Sequence, residues 1–90
     1  MIKHILKLEP CFYGDSKLGI KNFEIRKNDR DYQVGDILEL REWVPDGDGG
    51  RYTGDVHYKL ITYVLEEDDG RFLQPGYVCL GCVPIPEVFV

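Results

Sequence analysis

Asn22-Phe23-Glu24-Ile25-Arg26-Lys27, running into Asn28-Asp29-Arg30-Asp31 and then Val34-Gly35-Asp36, spells a short strand, a polar turn and a second tight turn. Phe23 and Ile25 alternate with Asn22, Glu24 and Arg26. A pleat sends alternate side chains to opposite faces, so the aromatic and the isoleucine share one face and the polar trio the other. Glu24 and Arg26, two apart on one strand, sit ~7 Å apart at their Cα atoms. That is close enough to pair, or for both to reach one ligand. Asn and Asp at 28–31 favour a turn because their side chains bond nearby backbone groups.

Outward from this stretch, Ile2, His4, Leu6 and Leu8 share one face of a strand over residues 2–8. Glu9-Pro10 suits a helix start, since proline is tolerated at the first helical position. Phe12, Tyr13 and Leu18 give a short amphipathic helix that ends at Gly19 as a left-handed cap. Beyond the Val34-Gly35-Asp36 turn, Ile37–Trp43 reads as a strand and residues 45–50 as a flexible glycine-rich loop. A long strand follows over Asp55–Leu65, with Val56, Tyr58, Leu60, Thr62 and Val64 in phase on one side. Glu66–Gly70 reads as a turn and Tyr77–Val83 as a last, mostly buried strand. Pro84 and Pro86 predict an extended tail. Short strands spaced by turns, with one helix, point to a small β-barrel.

Ninety residues make one domain. The net charge of −5 argues against coating nucleic acid by charge alone, which takes many Lys or Arg contacts to phosphate. The positive charge is nevertheless concentrated locally, at Lys17, Lys21, Arg26, Lys27 and Arg30. No apolar run approaches the ~20 residues of a membrane span, so no membrane partner is expected. The charged N-terminal stretch does not read as a signal peptide. With three cysteines, an odd count, that predicts free thiols in a reducing cytoplasm.

Gly19-x-Lys21-x-x-Glu24-x-Arg26 followed by Val34-Gly35-Asp36 resembles the signature of ASCH domains, small β-barrels of the PUA-like superfamily. His4-x-Leu6-Lys7, Pro10, the run from Phe23 to Arg30, Leu40-Arg41-Glu42-Trp43, Tyr52-Thr53-Gly54 and Gly76-Tyr77-Val78 extend the resemblance over nearly the whole chain. They match a compact bacterial and prophage branch of that group. The resemblance implies a single domain over residues 1–90, mainly β (α+β). Its form would be a PUA-like barrel of five to six strands with one short helix packed at the barrel mouth. It implies RNA or a nucleotide as partner, held in a cleft between helix and barrel at the Lys21, Glu24 and Arg26 positions.

Some ASCH proteins are amidohydrolases that deacetylate acetylated cytidine with a lysine, a threonine and a glutamate. Lys21 matches the lysine position, but Glu24 stands where the threonine nucleophile belongs, and a carboxylate does not replace a lysine-activated hydroxyl. A binding module without catalytic residues or cofactor is therefore the first expectation. An enzyme acting on a modified nucleoside and a phage-related protein-interaction module are the alternatives.

Each candidate residue has two readings. Lys21, Glu24 and Arg26 form either a polar cleft for phosphate or a base edge, or a structural ion-pair network pinning the helix to the barrel. Asn28 and Arg30 extend that site, or belong to a solvated turn. Trp43 offers a stacking platform for a base, or packs at the barrel rim. His4 lines the cleft, or is a satisfied core residue. Cys79-x-x-Cys82 on a strand points its thiols to opposite faces, and two further zinc ligands at suitable spacing are missing, so no metal is expected. Asp46-Gly47-Asp48 lacks the distal glutamate of a calcium loop. Ser16 is the only serine, and no Ser–His–Asp set presents itself.

Overall fold

The computed structural model describes residues 1–66 and 71–90. The turn read at Glu66–Gly70 therefore lies, from residue 67 on, outside the described residues. In chain order the elements are β1 (Lys3–Leu8), α1 (Pro10–Lys17), β2 (Phe23–Lys27), β3 (Ile37–Asp46), β4 (Gly49–Glu66) and β5 (Tyr77–Ile85), then a 3-10 turn, Glu87–Phe89. The five strands form one sheet in the order β1-β3-β4-β5-β2, curled into a half-barrel that carries, among the described residues, one short α-helix. The β1–β3 pair is parallel and the other three are antiparallel.

The alternation in β1 places His4, Leu6 and Leu8 inward and Lys3, Ile5 and Lys7 outward. Leu38 and Leu40 of β3, Ile61 of β4 and Val78, Leu80 and Cys82 of β5 complete the inner face, with Tyr13 from α1 and Tyr32 closing over it. Helix α1 starts at the expected proline, and Gly19 follows it with φ 78°. Burial of Tyr13 and Ser16 docks the helix: Ser16 Oγ hydrogen-bonds His57 Nε2 at 2.8 Å, and the rings of Tyr13 and His57 meet edge to face at 4.7 Å.

Three expectations are corrected. Residues 45–50 are not a flexible loop, because β3 and β4 continue through them and pair Asp46 with Gly49 across a two-residue turn. Gly50 makes this possible, since a Cβ there would meet the Trp43 ring at 2.6 Å. In β4, Val56, Tyr58 and Leu60 do share one side, opposite the buried His57, Lys59 and Ile61, but the phase does not hold as far as Val64. A register shift between Ile61 and Tyr63 then turns Val64 towards the core. The tail after Pro86 forms one 3-10 turn, because proline restricts only the residue before it and leaves the chain beyond free to coil.

The strands β1 and β2 follow one another in the chain but form the two edges of the sheet. Curling brings these edges face to face, and arginine side chains close the seam. Arg26 Nη2 donates to Lys7 O and Arg30 Nη1 to Ile5 O, both at 2.9 Å.

Candidate functional site

The pleat of β2 has the opposite sense to an ordinary surface strand. Phe23 and Ile25 point outward and are about half exposed, while Glu24 is 2% exposed. A buried carboxylate must be hydrogen-bonded and paired, and Glu24 is both. Lys21 Nζ donates to Oε2 at 2.6 Å; Arg26 donates to Oε1 from Nε at 2.9 Å and from Nη2 at 2.7 Å. Lys21 Nζ also donates to Phe23 O at 2.7 Å. The two cations thus converge on one carboxylate at the mouth of the seam.

They remain open to water, with side-chain exposures of 18% for Lys21 and 22% for Arg26. A cavity of about 360 Å³ lies over them, lined also by Lys7, Leu8, Glu9, Phe12, Phe23 and Ile25. A second hollow of about 220 Å³ continues along the seam past Lys27 and Arg30, with Arg26 shared between the two. Phe12 and Phe23 flank Lys21, whose Nζ lies 5.7 and 4.8 Å from their ring centroids. Both rings are nearly half exposed.

Donor accounting shows what the cleft can still do. A guanidinium has five N–H donors and an ammonium three. Among the described residues, both Nη1 donors of Arg26 and one donor of Lys21 have no protein acceptor. Three charge-assisted donors beside two accessible aromatic faces suit a phosphate carrying an unstacked base.

The remaining sequence candidates are dispersed. His4 does not line the cleft. It is buried, bonds Asp36 Oδ2 at 2.9 Å and packs on Tyr32 at 4.7 Å between ring centroids. Trp43 stands on the outer face of β3 against Tyr52, and Lys7 Nζ lies 3.9 Å over its ring. It touches the cleft only through that lysine. Arg30 lines the second hollow, whereas Asn28 lines neither and is held by its own N–H to Gly76 O at 2.8 Å. Cys79 and Cys82 face opposite sides of β5, and burial pushes the Cys82 thiol up to about 11.

Two contributors escaped sequence reading. Phe12 read as a core position of the helix, and nothing in its spacing distinguishes the rim from the core. Lys59 is wholly buried on the inner face of β4, beneath the loop that carries Lys21. Its one signal was its phase with Ile61, which the stronger apolar alternation of Val56, Tyr58 and Leu60 concealed.

A family model described as a domain of unknown function, DUF3850, matches residues 3–82. A protein of Escherichia phage P2, described as an uncharacterized 12.9 kDa protein in the GpA 3′ region, is 38% identical over 66 residues. That match covers 73% of this chain and 57% of the phage protein, so the chain spans little more than half the length of this relative. Among the described residues no helix is long and apolar enough to cross a membrane.

Proposed function

This chain belongs to the DUF3850 family, and from that premise we propose that the cleft at Lys21 and Arg26 binds RNA or a nucleotide, taking a phosphate on its cations and an unpaired base on Phe12 or Phe23. The observation that carries this reading is the set of unused donors, two on Arg26 and one on Lys21, held beside exposed aromatic rings in an otherwise acidic chain. The resemblance to ASCH domains of the PUA-like superfamily supports the same ligand class. Glu24 has the role of an orienting group, since its two oxygens already accept three hydrogen bonds. That engagement favours binding over hydrolysis of a modified nucleoside, which needs a free nucleophile or base.

The test is a titration of single-stranded RNA, a mononucleotide and duplex RNA against the protein at several salt concentrations. Single strands bind better than duplex, because a paired base cannot lie on an aromatic platform. With two cations on phosphate, log K falls against log salt with a slope of about −1.4. Absence of binding to any of the three at low salt rejects the reading.

A further inference from the structure

Lys59 is an anomaly of charge. Its side chain has 0% exposure, and a lysine is almost never fully buried unless paired. Its Nζ donates to Lys21 O and to Asn22 Oδ1, the latter at 3.2 Å, and both acceptors are neutral. No carboxylate lies within ion-pair distance of it among the described residues. Taking an ammonium out of water costs several kcal/mol after relaxation, so an apolar side chain here is cheaper for the fold alone.

The position of Lys59 indicates what its charge does. Its two acceptors belong to the loop that presents Lys21. The same loop is fixed by Asn22 Nδ2 to Gly19 O at 2.7 Å, by Cys82 N to Asn22 O at 3.1 Å, and by Ile20 N and Lys21 N to Asp15 O at 2.9 and 3.0 Å. Lys59 therefore supports the Lys21 backbone from below. It also changes the charge sum. With the cleft walls included, Lys7, Lys21, Arg26 and Lys59 stand against Glu9 and Glu24, an excess of positive charge at the cleft.

We infer that Lys59 is a positioning residue for the anion site, fixing the Lys21–Asn22 backbone and supplying a buried positive charge that a bound phosphate answers. This rests on the nucleotide-binding reading of the cleft. The affinity for phosphate then depends on Lys59 keeping its proton. The groups facing it are Lys21 from the loop, Glu24 from β2, Cys82 from β5 and His57 two residues earlier on β4. Burial lowers the proton affinity of Lys59 below the ordinary lysine value, with Lys21 adding to the effect and Glu24 opposing it; Cys82 opposes it only once ionised. His57, lowered to about 4, stays neutral from pH 7 to 10, and the Cys82 thiol, raised to about 11, stays protonated.

The probe is a single-stranded oligoadenylate, whose bases do not titrate in that range, measured by calorimetry from about pH 7 to about pH 10. Parent affinity declines towards the alkaline end of this range, because burial lowers the proton affinity of Lys59. Lys59→Met, shown folded by circular dichroism, binds about fivefold or more weakly at pH 7 and loses the alkaline decline. Lys21→Arg keeps a cation at the cleft and retains the decline. A folded Lys59→Met with the parent's affinity and pH profile overturns the inference, as does a flat profile in Lys21→Arg, which decides the matter if Lys59→Met does not fold. A parent that binds no oligoadenylate at any pH rejects the nucleotide reading itself, a separate result.

Discussion

Replacing Glu24 by glutamine keeps the shape of the side chain and removes its charge. In the parent, one oxygen accepts from Lys21 and the other from both Nε and Nη2 of Arg26. The amide can keep its oxygen towards Arg26, but its NH2 then faces the Lys21 ammonium across 2.6 Å, a donor against a donor. Removing one partner of a buried ion pair costs about 3–5 kcal/mol. Here the stranded cations retain about a fifth of their side-chain surface in water and can partly rehydrate, so the expected loss is about 2–4 kcal/mol. The effect reaches the fold because Arg26 also closes the seam onto Lys7 O. A domain of this size has roughly 5–13 kcal/mol in total. Urea unfolding of Glu24→Gln therefore shows a midpoint lower by about 1–2 M, taking a slope near 2 kcal/mol/M. A midpoint within about 0.3 M of the parent refutes the view that this carboxylate holds the seam.

Phe12→Ala and Phe23→Ala each remove a half-exposed ring and weaken single-strand binding by about 1–3 kcal/mol, while thermal midpoints stay close to the parent's; unchanged affinity in both variants rejects the stacking platform. Stability falls as pH drops from about 6.5 to about 4, because burial, then the charges of Lys59 and Lys17, hold His57 at about 4 in the fold, so the unfolded chain takes its proton first. The full effect is about 3 kcal/mol, and His57→Gln flattens this part of an acid-unfolding curve; an equally steep curve in the variant removes His57 as the cause. Below about pH 4 the slope passes to the carboxylates that the fold holds below their ordinary values: for Asp36 and Glu39 burial is outweighed by hydrogen bonds from His4 and from Lys3 and Arg41, and Asp55 is lowered by Lys17. Gly50→Ala drives a methyl into the Trp43 ring and Val44 O, costing about 1–3 kcal/mol in chemical denaturation; a neutral effect shows that the hairpin yields freely.

Where local chemistry decided the backbone, the sequence was a reliable guide. Pro10 and Gly19 bracket α1 because each has a conformational reason to sit there, and Gly35, at φ 95°, makes the tight turn before β3. The sense of burial was harder to read. Strand β2 buries its charged face and β4 buries His57 and Lys59, because each polar group meets a partner: Glu24 the lysine three residues before it, and, from distant elements, His57 the helix serine and Lys59 the Lys21 carbonyl. Alternation indicates that two faces exist, but only the contacts decide which is inside. The same limit applies to the site. Lys21, Glu24 and Arg26 could be grouped from their spacing, whereas Phe12 and Lys59 join them only through the curl of the sheet, and His4 and Trp43 leave for the core and the outer face.

The two readings of the charged trio, ligand cleft and structural network, are not exclusive, and the donors of Arg26 show how they combine. Its Nε and one N–H of Nη2 bind Glu24, and the other N–H of Nη2 binds Lys7 O across the seam. That leaves both Nη1 donors without a protein acceptor among the described residues, on a side chain that lines the cavity. The guanidinium is planar and rigid, so fixing one edge in the fold fixes the direction of the other. An exposed arginine on a flexible stem loses side-chain entropy when it orders around a phosphate; this one is already ordered by folding. The ion pair that closes the half-barrel is thus also what pre-organises the anion site we propose, and the edge-to-edge gap of an unclosed sheet is where a small domain has room for both.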